Sequence, residues 1–136
     1  MRTVGIGLAG CGQVGSALVS LLAEYSSQIA EQTGMQIELR AIADRSFRNP
    51  RKLGIPRKLW VDHPSQLLGR PDLDCVVELI GGTGAAADLV LGALRDGVSV
   101  VSANKALIAE RGPELIAAAA EGGGRLLFEA AVTAGV

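Results

Sequence analysis

Short apolar runs alternate along the chain with stretches in which apolar positions recur every three or four residues, and glycine stands at most of the junctions. Strands alternating with helices give that pattern. Residues 4–9 (VGIGLA) lead through Gly10, Gly12 and Gly15 into a segment where Val14, Leu18, Leu21, Leu22, Tyr25 and Ile29 fall at i, i+4, i+7, i+8, i+11 and i+15. The spacing predicts a helix with one apolar face, ended by Gly34 just past its C-cap. Residues 36–43 (QIELRAIA) read as a second strand, ending at Asp44-Arg45. Pro50, Gly54 and Pro56 break residues 46–59 into a loop, followed by a short helical turn over 64–68. Residues 73–80 (LDCVVELI) predict a third strand closed by Gly81-Gly82, and Leu89, Val90, Ala93 and Leu94 a helix that stops at Gly97. Residues 98–102 (VSVVS) predict a fourth strand, which delivers Ala103-Asn104-Lys105. Gly112-Pro113 opens another helix with proline at its favoured first position, Gly122-Gly123-Gly124 ends it, and residues 125–131 (RLLFEAA) form a fifth strand.

Such alternation specifies an α/β fold, a Rossmann-type doubly wound parallel sheet in three αβα layers, with residues 1–136 as one domain. At 136 residues and 14.0 kDa the chain can bury a core without disulfides or metals. Its hydrophobic content of 49% with only 3% aromatic makes that core from Val, Leu, Ile and Ala, as a sheet covered by helices requires. A net charge of -1 offers no field for nucleic acid, so a small-molecule ligand is expected. Cys11 and Cys75 form no C-x-x-C pair and the chain has one His, which argues against a zinc site or a disulfide framework. His63, in Asp62-His63-Pro64, reads as a solvated loop residue. From Arg2 the chain is uncharged up to Ala23, as in a signal or membrane segment, yet it carries Gly5, Gly7, Gly10, Gly12 and Gly15. Each glycine costs about 1 kcal/mol in a helix relative to Ala, so the expected location is the cytoplasm, away from membranes.

The candidate chemistry lies where strands end. Gly10, Gly12 and Gly15 form G-x-G-x-x-G, which means a dinucleotide site only between a strand and a helix, the setting present here. Gly10 allows the tight turn, Gly12 removes the Cβ that would obstruct a pyrophosphate, and Gly15 lets the helix approach the strand. The pyrophosphate would then rest on backbone N–H groups near residues 11–14, at the positive end of the helix macrodipole. At the tip of the second strand an acidic residue suits the ribose 2′-OH of NAD, whereas Arg suits the 2′-phosphate of NADP. Asp44 and Arg45 supply both; Arg45 favours NADP, and with Arg48, Arg51, Lys52, Arg57 and Lys58 behind it an ordinary basic loop is the alternative. Gly81-Gly82 serves equally as a ligand contact or a plain turn. Lys105, at the carboxyl end of a strand, is either a donor to substrate or cofactor or a solvated lysine.

Residues 76–82 (VVELIGG), 100–109 (VVSANKALIA) and 128–136 (FEAAVTAGV), with Gly10 to Gly15 and Ala43-Asp44-Arg45, resemble the amino-terminal half of homoserine dehydrogenase over essentially the whole chain. The resemblance implies hydride transfer between aspartate 4-semialdehyde and homoserine with a nicotinamide cofactor, in amino-acid biosynthesis. It implies Lys105 as the catalytic residue beside the nicotinamide and the reacting oxygen. Gly12, Gln13 and Val14 would cradle the cofactor, with Ser102 standing where the family more often has Thr. It also implies a monovalent-cation (sodium) site formed by Glu129 and the carbonyl oxygens of Val132, Ala134 and Val136, for which a buried, backbone-satisfied Glu129 is the alternative. Thr83-Gly84-Ala85-Ala86 departs from the family's usual helix entry. The family's substrate domain, with its second catalytic lysine, would follow Val136, so the chain by itself is expected to bind cofactor without turning over. A homodimer is the expected assembly. The rival readings are a free-standing NAD(P)-binding module and another semialdehyde-type dehydrogenase.

Overall fold

The first apolar run is buried from Gly5 to Ala9 on both faces, as only a central strand can be. A computed structural model describes residues 2–44 and 54–128. Its elements are β1 (Arg2–Ala9), α1 (Gln13–Thr33), β2 (Met35–Ala43), β3 (Trp60–Val61), β4 (Cys75–Glu78), α2 (Ala85–Arg95), β5 (Ser99–Ser102), α3 (Lys105–Gly122) and β6 (Leu126–Leu127). Single 3-10 turns lie at Arg57–Leu59 and Pro64–Leu67. All pairings are parallel, in the order β3-β2-β1-β4-β5-β6, which is the doubly wound order expected. The order reverses between β1 and β4, where Ala9 pairs with Glu78, and Glu78 in turn pairs with Ser102 of β5.

Side chains alternate between two cores. On one face Leu8 and Ile42 pack with Cys11, with Val19 of α1 and with Ile55. On the other, Ala9, Ala43, Val76 and Val100 pack with Leu89, Val90 and Leu94 of α2 and with Leu107, Leu115 and Ala118 of α3. Burying each such Leu stabilises the fold by about 1.5–3 kcal/mol, so this second core is the main cohesive element.

Several expectations change in detail. The third strand in sequence is the two-residue β3, between the segments that read as loop (46–59) and turn (64–68); the expected strand over 73–80 is β4 and pairs only over Cys75–Glu78. It stops there because the N–H groups of Ile80 and Gly81 turn back onto the Glu78 carboxylate. A helix does open at Gly112-Pro113, as expected, but a first segment beginning at Lys105 precedes it; the two meet at a kink where Arg111 leaves helical geometry (φ -129°, ψ 20°), since Pro113 has no N–H to continue the earlier turn, and together they make up α3. The predicted apolar face of α1 is only partly buried: Val14 is 65% exposed, Leu21 50% and Tyr25 43%. The row that meets the sheet is Gly15, Leu18 and Val19, and α2 and α3 lie against the opposite face, so no second helix among the described residues flanks α1. Gly34 ends α1 in the left-handed conformation (φ 72°), its N–H bonded to the Ala30 carbonyl, as predicted. The proposed fifth strand pairs at Leu126–Leu127, and residues 129–131 lie outside the described residues.

Candidate cofactor and catalytic site

At the carboxyl edge of the sheet, a cleft of about 230 Å³ opens over the ends of β1, β2 and β4. Gly10, Ala43, Asp44, His63, Pro64, Ile80 and Ala85 line it. This is the point where strand order reverses, the usual ligand crevice of open α/β sheets.

The three glycines do different work. Gly10 has φ +90°, and a Cβ there would come within 2.9 Å of the Leu79 carbonyl oxygen, so the turn out of β1 requires glycine. A Cβ on Gly15 would lie 2.5 Å from the Gly10 carbonyl oxygen, so α1 can approach the loop only without one. At Gly12 a Cβ would meet nothing within 4 Å. Packing therefore places no demand on Gly12, and the open space beside it is what a bound group would use. Gly12 is the N-cap of α1, with no side-chain cap and no acidic residue in the first turn. Gln13 and Val14 are exposed there, so the N–H groups that open the helix face solvent, an arrangement suited to an anion. Asp44 at the end of β2 accepts a hydrogen bond from the Cys11 N–H at 2.6 Å, tying the glycine loop to the cleft wall. Cys11 is fully buried, and burial raises its thiol pKa, so at neutral pH it puts no negative charge under the loop.

His63, read in sequence as a solvated loop residue, is exposed but lines the cleft. Its Nδ1 accepts from the Ser65 N–H at 3.1 Å while Gln66 Oε1 accepts from the His63 N–H at 2.9 Å, a reciprocal cap that holds the turn over Pro64–Leu67.

Lys105 is the first residue of α3 and is exposed at the same sheet edge. Asn104 caps that helix, its Oδ1 accepting from the Leu107 N–H at 3.0 Å, while its Nδ2 donates to the Gly82 carbonyl at 2.6 Å. Ser102 stands one layer back, 2% exposed, donating to Glu78 Oε1 at 2.7 Å and accepting from the Asn104 N–H at 3.0 Å. Sequence reasoning passed over Glu78, although an acidic residue inside an apolar run just before Gly81-Gly82 is itself a signal. Arg45, Glu129, Val132, Ala134 and Val136 lie outside the described residues. No cluster of three or more metal-binding side chains occurs among the described residues, nor a helix long and apolar enough to cross a membrane.

A family model for the NAD-binding domain of homoserine dehydrogenase matches residues 10–129. The chain belongs to this family. Homoserine dehydrogenase of Neisseria gonorrhoeae is 39% identical over 136 residues, all of this chain and 31% of that protein. The enzyme of Corynebacterium glutamicum is 41% identical over 98% of the chain and 30% of its own length. Among solved structures, a homoserine dehydrogenase from Thiobacillus denitrificans superposes with a TM-score of 0.87 at 36% identity, covering 96% of this chain and 30% of that one. A hyperthermophilic archaeal homoserine dehydrogenase in complex with NADPH superposes with a TM-score of 0.77 at 27% identity, over 95% of this chain and 44% of that one. The chain thus spans about 30% of the length of the curated relatives it matches, corresponding to the NAD-binding part.

Proposed function

We propose that the chain binds NAD or NADP across the carboxyl ends of β1, β2 and β4 and forms the cofactor half of an enzyme that interconverts aspartate 4-semialdehyde and homoserine. The observation that carries this reading is Gly12, whose missing side chain leaves open space at an exposed helix N-terminus beside the cleft and serves no packing purpose. A bound nicotinamide supplies the hydride chemistry. Gly12, Gln13, Val14 and Gly15 bind the pyrophosphate through the backbone N–H groups that open α1, while Gly10, whose own N–H donates to the Ala43 carbonyl at 2.8 Å, shapes the turn that brings them there. Lys105 donates from its ammonium to the reacting oxygen, stabilising the charge that develops there. Ser102 contributes from behind, through its bonds to Glu78 and Asn104.

Arg45 favours NADP, and the archaeal relative's complex with NADPH supports the same choice. Glu129 with the carbonyls of Val132, Ala134 and Val136 is the proposed monovalent-cation site, oxygen ligands suiting a hard ion. A homodimer in the cytoplasm, with the amino-acid substrate held by the remainder of the enzyme, completes the proposal. Calorimetric titration of the purified chain with NADPH and NADH tests it: saturable binding of at least one is expected, with the tighter Kd for NADPH. Absence of binding by a folded chain would refute the reading.

A further inference from the structure

Glu78 is fully buried, and none of the ion pairs among the described residues involves it. A carboxylate taken out of water is costly unless donors replace its hydration, so its partners are the informative feature. Oε2 accepts from the N–H groups of Ile80 at 2.9 Å and Gly81 at 3.1 Å, and Oε1 accepts from the Ser102 hydroxyl at 2.7 Å. The network continues from Ser102 Oγ to the Asn104 N–H and from Asn104 Nδ2 to the Gly82 carbonyl. It returns to its starting turn. Glu78, Ser102, Asn104 and the Gly81-Gly82 turn form a closed ring of hydrogen bonds across the ends of β4 and β5.

The ring holds something that would not hold itself. Gly81 and Gly82 both have positive φ, 81° and 73°, and a Cβ on either would meet nothing within 4 Å. Packing therefore does not fix this turn; the two N–H bonds to Glu78 and the carbonyl bond to Asn104 do. The same Asn104 caps α3, so the ring also sets where Lys105 emerges. Removing one bond loosens the turn and the lysine together, whereas Gly10 to Gly15 lie outside the ring.

We propose that Glu78 is a positioning residue for the nicotinamide end of the cofactor: it fixes the Gly81-Gly82 turn directly and Lys105 through Ser102 and Asn104. The inference rests on the cofactor-binding reading above. A Gln at this position keeps one acceptor oxygen for the backbone pair but offers the hydroxyl an NH2 donor in place of a charged acceptor, so the Ser102 hydroxyl can no longer donate to it and every bond of the ring to this side chain loses its charge assistance. Glu78→Gln thus weakens the ring by reversing one bond and removing its charge, without changing the volume of the side chain.

The test compares NADPH with 2′-phospho-ADP-ribose, which carries the adenine half and pyrophosphate but no nicotinamide. Both are titrated against the wild-type chain and Glu78→Gln, following nicotinamide fluorescence for NADPH and heat for both. We expect NADPH affinity to fall about tenfold, its fluorescence on binding to move towards that of free NADPH, and the affinity of the fragment to stay within about twofold. A purely structural buried carboxylate would weaken both ligands alike, and that result, or no change in either, would overturn the proposal. If Glu78→Gln does not fold, Ser102→Ala, which breaks the ring at the hydroxyl, decides by the same comparison. Failure of the wild-type chain to bind either ligand is a separate outcome, which refutes the cofactor reading itself.

Discussion

The glycine loop separates a residue needed for folding from one needed for binding, and two substitutions expose the difference. In Gly12→Ala the new methyl meets no atom within 4 Å. Replacing an N-cap glycine by Ala costs about 0.5–1 kcal/mol of helix capping. Against this, the unfolded chain loses freedom worth about 0.4–1 kcal/mol, so the net change in stability is within about 1 kcal/mol, or about 3–5 °C in Tm for a chain of this size. Gly15→Ala differs because its methyl would sit 2.5 Å from the Gly10 carbonyl oxygen, a backbone atom that can move only with the loop. Overpacking of this kind costs about 1–3 kcal/mol, lowering Tm by about 3–15 °C. Binding should rank the other way for Gly12: losing one or two charge-assisted N–H bonds to a phosphate, each worth about 1.5–3 kcal/mol, weakens a dinucleotide by at least about tenfold. Thermal unfolding and calorimetric titration with NADPH on the two variants provide the readings. A Gly12→Ala protein that is folded and binds like wild type would show that the loop does not hold the pyrophosphate.

Two further outcomes are expected. Arg45→Ala should lower NADP affinity by about tenfold to a hundredfold, the worth of one charge-assisted bond to the 2′-phosphate, and leave NAD nearly unchanged; equal losses for both cofactors would place Arg45 on a group they share. Asp72 is bonded to Arg70 at 2.8 Å, and that hydrogen bond, outweighing the opposing effect of burial, holds its carboxyl below the ordinary value of 3.8. Its contribution is therefore complete above about pH 4 and lost as the pH falls through the lowered pKa; because the side chain is 36% exposed, solvent screening limits it to a few tenths of a kcal/mol, up to about 1. Urea denaturation of wild type and Asp72→Asn should show a small gap at pH 7 that closes towards pH 3, and a gap that widens instead would contradict this sign.

What the sequence reveals depends on whether the responsible interactions are local. Gly34, Gly97 and Gly123 end or follow their helices with positive φ, because a left-handed residue after a helix is written in the local chain. Gly10, Gly12 and Gly15 were legible as a loop for the same reason, though only the tertiary contacts show which of them the fold itself needs. The two-residue strand Trp60–Val61 was not legible: it is too short to show a period, and it exists because it pairs with Ile42 and Ala43. Val14, Leu21 and Tyr25 share the apolar period of α1 with its buried residues, and nothing in that period says which flank meets the sheet. His63 reaches the cleft only through the return of the chain over β2, and Glu78 finds Ser102 only because β4 and β5 are adjacent and in register. Their partners are 24 residues apart in the case of Glu78 and Ser102, beyond the reach of any local pattern.

The central claim is that a nicotinamide dinucleotide lies across the carboxyl ends of the central strands. Titrating the ¹⁵N-labelled chain with NADPH and following its amide resonances tests this most directly. The account predicts saturable shifts concentrated at Gly10 to Gly15, Asp44, Gly81-Gly82 and Asn104-Lys105, all at one edge of the sheet. Shifts concentrated instead at the opposite edge, around Gly69, Asp96 and Val98, would contradict it.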